Sequence, residues 1–175
     1  MKKWIMLLGM IASAHASTQF EACHYDKQEM SAVVCYGPAE LNGTVVKGDV
    51  KVVGALTAND ISAGSITVSG SAELKNVHVN GAVNIEGFLH AHNTEFNQSI
   101  SIAAADVILN HSTVRGAITI NEAKDRPTVQ IQCGSIIAGS ISFVGLAGTV
   151  QVAGDSIVQG NVNNGTIEFV DRECD

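Results

Sequence analysis

The sequence predicts an all-β protein: a single-stranded triangular β-solenoid of about seven turns, about 17 residues per turn, with a disulfide-pinned N-terminal cap. Three observations predict it. First, Gly48-Asp49-Val50-Lys51-Val52, Gly64-Ser65-Ile66-Thr67-Val68, Gly81-Ala82-Val83-Asn84-Ile85, Ser99-Ile100-Ser101-Ile102, Gly116-Ala117-Ile118-Thr119-Ile120 and Gly139-Ser140-Ile141-Ser142-Phe143 repeat one pattern at a near-constant spacing that lengthens only before Gly139. A period of this size means that one unit stacks on itself. Second, apolar residues alternate with small polar ones inside each repeat, the signature of a strand with one buried and one solvated side. Third, aromatic residues make up only 5% of the chain, which suits a narrow interior filled by Val, Ile and Leu.

Residues 1–16 read as a secretory signal peptide. Met1-Lys2-Lys3 is followed by the apolar run Trp4 to Ala12 and by Ala14-His15-Ala16, with cleavage expected after Ala16. The apolar run is far shorter than the roughly 20 residues a membrane-spanning helix needs. A secreted or periplasmic protein with no membrane insertion after cleavage is therefore expected. Cleavage leaves a chain that starts at Ser17 and lacks Lys2 and Lys3, so its formal net charge is more negative than the −7 of the whole sequence. So acidic a surface repels phosphate backbones and anionic headgroups, and nucleic acid is excluded as a partner class.

Residues 17–40 lack the repeat and hold the polar cluster His24-Tyr25-Asp26-Lys27-Gln28-Glu29. They are expected to form a cap containing one helical turn or a hairpin. The four cysteines Cys23, Cys35, Cys133 and Cys174 all follow the signal, and an even number in an exported chain reads as disulfides. Of three possible pairings, Cys23 with Cys35 and Cys133 with Cys174 is preferred. The first two share a short segment, and the last two could tie the carboxyl end to a late repeat. No Cys-x-x-Cys spacing supports a metal site.

Residues 41–175 are assigned to the solenoid and a charged tail. The inward pairs of one side are Val50/Val52, Ile66/Val68, Val83/Ile85, Ile100/Ile102, Ile118/Ile120 and Ile141/Phe143. Two weaker pairs follow each, for example Leu56/Ala58 and Ile61/Ala63, or Leu89/Ala91 and Thr94/Phe96. Side-to-side steps of five or six, as in Phe96, Ile102, Ile108, Val114 and Ile120, imply three short sides per turn. A lone turn buries too little to offset the ordering of its backbone, so the turns must stack and hydrogen-bond. Glycines are expected at the corners. Glu122 to Pro127 is expected to protrude as a loop, and Asp171-Arg172-Glu173-Cys174-Asp175 to guard the last strand against end-to-end addition.

The Gly-x-Ile-x-Val steps over residues 43–170 resemble those of the bactofilins, bacterial polymer-forming cytoskeletal proteins. The resemblance implies a right-handed triangular β-helix. Those proteins are cytoplasmic and lack a secretory signal, whereas this chain carries Met1 to Ala16, cysteines and a cap, so only the fold is carried over.

Candidate chemistry is sparse. His90-Ala91-His92 places two rings on one strand face, and His111 falls about one turn later, so these three are the candidate zinc or copper ligands. In register, His92 aligns with Lys75 and Asn110, and His111 with Asn76 and Asn93, which are ordinary solvated corner positions. The outward column Lys51, Thr67, Asn84, Ser101, Thr119, Ser142 and its neighbour Val53, Ser69, Glu86, Ala103, Asn121, Val144 contain no paired acid and base. Lys51, Asn84 and Glu86 interrupt any flat Thr rank of the ice-binding kind. Gly-x-Gly-x-x-Gly, P-loop and Gly-x-Ser-x-Gly motifs do not occur. Asn42, Asn97, Asn110 and Asn164 lie in Asn-x-Ser/Thr triplets and read as corner residues. The expectation is a non-catalytic exported structural or interaction protein without a cofactor, whose partner is a protein, a surface glycan or another copy. The rival is a secreted carbohydrate-binding or carbohydrate-active β-helix protein, although Trp4 leaves with the signal and only Tyr25 and Tyr36 remain.

Overall fold

The computed structural model describes residues 21–104, 106–121, 125–171 and 174; residues 1–16, expected to be a signal peptide, together with Glu122, Ala123, Lys124, Arg172, Glu173 and Asp175, lie outside them. The described residues form 23 strands and no helix, hence none long and apolar enough to cross a membrane. They wind as a β-solenoid of about 8 turns with about 17 residues per turn.

Alternation places a buried pair on each side of a turn, and parallel stacking brings those pairs into columns. The first side is a nine-stranded sheet in the order Cys23–Asp26, Ala39–Asn42, Leu56–Asn59, Ala72–Lys75, Leu89–His92, Asp106–Asn110, Thr128–Gln132, Gly148–Ala153, Gly165–Val170. The other two sides form one sheet, because Val45–Val52 and Ser62–Val68 run through the corner between them with a bulge after Val46. Beyond these, the second side continues with His78–Val79, Glu95–Phe96 and Thr113–Val114, and the third with Val83–Ile85, Ile100–Ile102 and Ile118–Ile120. Ile66, Val83, Ile100, Ile118 and Ile141 lie one above another, as the periodicity requires. The same column begins at Val33 and Val50 and ends at Val162, with near-equal steps up to Ile118 and longer ones after it. Phe96 is the largest fully buried side chain.

Two expectations are corrected. The described part of the cap segment 17–40 is itself wound as the first turn. Cys23–Asp26 pairs with Ala39–Asn42, Glu29–Met30 with 45–46, and Val33–Cys35 with 50–52, all parallel. Rung pairing needs alternation and an inward pair, which Val33 and Cys35 supply, and it does not need the Gly-x-Ile signature; the polar cluster is outer surface and corner. This raises the count of turns from seven to about eight. Ile108 points outward between His90 and Gln130, because Val107 and Leu109 take the inward places of that strand. The long step from Ile118 to Ile141 takes up the insertion, of whose described residues Asp125 and Arg126 are exposed, whereas Pro127, expected in the protruding loop, is buried.

The corner between the first and second sides is left-handed in every turn. Lys27, Gly43, Asp60, Asn76, Asn93, His111, Cys133 and Gly154 have φ of 48°, 57°, 54°, 53°, 48°, 48°, 55° and 64°. Asn, Asp and Gly tolerate this region best. Amides here donate across the rung, for example Asn76 N–H to His92 O at 3.0 Å and Asn93 N–H to Asn110 O at 2.9 Å. Side-chain amides repeat the step, Asn93 Nδ2 to Asn76 Oδ1 and Asn76 Nδ2 to Asp60 Oδ1, both 2.8 Å. Just inside, the buried hydroxyls of Thr44, Thr94, Ser112 and Ser135 donate to backbone carbonyls, so burial leaves them satisfied.

Both preferred disulfides are formed, Cys23–Cys35 and Cys133–Cys174. Such bonds persist in oxidising compartments.

Candidate functional site

Long polar side chains converge at one place on the second side, beside the left-handed corner. The outward column here runs Ser62, His78, Glu95, Thr113, and the one beyond it Asn80, Asn97, Arg115. Glu95 is the hub. Its Oε2 lies 3.1 Å from His78 Nδ1, and its Oε1 accepts from Arg115 Nε at 3.1 Å and from Arg115 Nη2. The Arg115 guanidinium, against an opposing effect of burial and with a lesser contribution from His78, holds the Glu95 carboxyl below its ordinary range. His78 Nε2 faces Asn80 Oδ1 at 3.0 Å and Asn97 Nδ2 at 3.2 Å. A neutral ring donates from Nδ1 to Glu95 and accepts from Asn97; a protonated ring donates to Asn80 instead. The hub therefore has a hydrogen-bond arrangement for either state.

Between this network and the corner residues Asn76, Asn93 and His111 runs an open groove of about 510 Å³, floored by Val77, Thr94 and Thr113. A smaller groove of about 190 Å³ lies across the corner on the first side, against Glu73, Lys75, His90 and His92. His92 and His111 form the ridge between them, rings 5.6 Å apart and edge-on at 68°. The three candidate ligand histidines are thus divided, His90 and His92 on one groove and His111 on the other. His111 Nδ1 is engaged by Asn110 Oδ1 at 2.6 Å. Among the described residues no group of three or more His, Cys, Asp or Glu is placed to hold a metal ion. His92 pairs with Lys75 and Asn110, as its register predicts.

The third side is different in kind. Lys51, Thr67, Asn84, Ser101, Thr119, Ser142 and Asn163 stack in register as outward side chains, most of them short. Asn121 Nδ2 reaches Ser101 Oγ at 2.8 Å and Asn163 Nδ2 reaches Ser142 Oγ at 3.0 Å, so side chains of this surface are cross-linked between rungs at two places.

On the third side Lys51 Nζ lies 3.7 Å from Asp49 Oδ2 of the same strand, and reading the outward columns of that side alone missed the larger cluster on the second side. Its signal was present in the separations: His78 and Glu95 are 17 residues apart, one rung, and Arg115 follows at 20, one rung plus the diagonal. Chemically the trio is suited to binding. A single carboxylate kept ionised by a guanidinium is a poor proton donor, and glycoside hydrolysis uses two carboxylates. The chain matches no protein-family model, no curated protein and no solved structure.

Proposed function

We propose that the chain is an exported, non-catalytic structural or interaction protein that presents a stiff polar solenoid side to an envelope, surface or self partner. The observation that carries this reading is the third-side column from Lys51 to Asn163, seven rungs of polar side chains in continuous register. A rank of pre-ordered donors and acceptors loses little side-chain entropy on docking, which favours recognition of an extended protein or glycan surface. Stiffness comes from interior strands bonded on both edges. The signal-like segment Met1 to Ala16 and the two disulfides support export to the periplasm or beyond. The acidic charge argues against nucleic acid.

The test is co-sedimentation of the oxidised chain with intact cell envelope. Binding that Thr67→Arg/Thr119→Arg abolishes is the expected result, and binding indifferent to that pair overturns the reading. A second reading, a carbohydrate-binding or carbohydrate-active protein, is favoured by the groove beside His78, Glu95 and Arg115. Release of reducing sugar from a polysaccharide panel, lost in Glu95→Gln, would establish it over the first.

A further inference from the structure

We propose that the C-terminal end of the solenoid is an interface between two copies of this chain, which join end to end and stop at a dimer. This rests on the self-partner version of the reading above and names the surface it uses.

In the last strand, Gly165–Val170, Ile167 and Phe169 continue the inward columns of Val150 and Val152. Val150 and Val152 are 0% and 5% exposed, whereas Ile167 is 44% and Phe169 84% exposed. Among the described residues no rung follows to cover them. Val158 and Val162, the last inward residues of the other two sides, are half-buried in the same cross-section, and Ile157 lies exposed at its rim. Between Ile157, Val158, Ile167 and Phe169 is a hollow of about 200 Å³. The strand is paired on one edge only, which leaves a row of backbone donors and acceptors beside the apolar columns.

Of the tail 171–175, expected to guard this strand, Arg172, Glu173 and Asp175 lie outside the described residues, and the described ones leave Ile167 and Phe169 exposed. Val170 lies beside Ala153, yet Cys174 is bonded to Cys133 and its sulfur is 3.5 Å from where a Gly154 Cβ would stand. Cys174 therefore sits at the corner beside Cys133 and Gly154, away from the exposed Ile167 and Phe169. The opposite end is plugged. Cys23–Cys35 joins the first and third sides within the first turn, Val33 and Cys35 are each 1% exposed, and Tyr25 and Met30 pack half-buried against the core. A cover for the open end must bring apolar columns at the same three-sided spacing and a free strand edge. The same end of a second copy brings both through a two-fold axis; the first turn has unpaired edges too, but its inward Val33 and Cys35 are already covered. One open end per copy limits assembly to two.

Sedimentation velocity of the oxidised chain across the micromolar range tests this. A monomer–dimer equilibrium is expected, with Phe169→Asp and, separately, Ile157→Asp each raising the dissociation constant at least about tenfold. Both side chains are exposed in the single chain, and unchanged circular dichroism confirms folding. Tyr36→Asp, at an exposed position near the other end, leaves the dimer intact. A strictly monomeric chain, growth beyond two copies, or a dimer indifferent to both end substitutions overturns the proposal. Failure here is distinguishable from failure of the third-side reading, since Thr67→Arg/Thr119→Arg acts on envelope binding and not on the dimer.

Discussion

A side chain at a solenoid corner meets its own repeat one rung away, so single residues are judged by what stands above and below them. A Cβ on Gly139 would lie 2.2 Å from Gly116 O, and one on Gly160 2.2 Å from Gly139 O. Gly139→Ala must therefore move backbone in two rungs, at a cost of about 1–3 kcal/mol in urea unfolding. At Glu95 the neighbouring Arg115 favours the carboxylate. A carboxyl with a lowered folded pKa contributes stability that is complete above its unfolded value and lost as pH falls through the folded one. Arg115→Gln should move the Glu95 titration upward toward the ordinary carboxyl range, observable in a ¹³C-detected NMR pH series. A Glu95 curve unmoved by the substitution would mean that the guanidinium is not its main partner. The hub escapes a reading along the chain, because its members are neighbours only through stacking.

At the scale of the strand, each short element is held by its two counterparts and by the inward pair it contributes. Phe96 is fully buried in the column between Val79 and Val114 and is the bulkiest such side chain. Phe96→Ala should cost about 3–5 kcal/mol, with hydrogen-exchange protection falling first in Glu95–Phe96 and its paired strands. Uniform loss across all rungs would instead indicate one cooperative unit. Strand positions were legible because alternation and a near-constant spacing are local signals. The first turn was not, since Cys23 to Cys35 alternates without the Gly-x-Ile mark and its pairing depends on strands a full turn further on. Ile108 misled for a related reason: in Val107-Ile108-Leu109 the six-residue steps select Ile108, whereas alternation selects Val107 and Leu109, and the strand follows the alternation.

For the whole molecule, the two disulfides act at opposite ends and do different things. Cys23–Cys35 spans 12 residues inside the first turn, while Cys133–Cys174 spans 41 and ties the tail to a buried corner residue. Cys133→Ser/Cys174→Ser should lower stability by about 2–4 kcal/mol and expose Gly165–Val170 to exchange, with the central rungs unaffected. Equal protection of that strand with and without the bond would show that rung pairing alone suffices.

The sequence by itself determined the stacking: an inward pair recurring once per turn can be buried only by laying each turn on the last, and the cysteine count and spacing favoured the pairing that forms. The tertiary structure alone decided which outward side chains meet, and which end stays open. Outward positions are free of the packing constraint that makes inward ones periodic, so His78, Glu95 and Arg115 share only their near-rung separations and no repeating residue type. Whether Phe169 is core or surface depends on a following rung, which is a property of the stack and not of its local sequence.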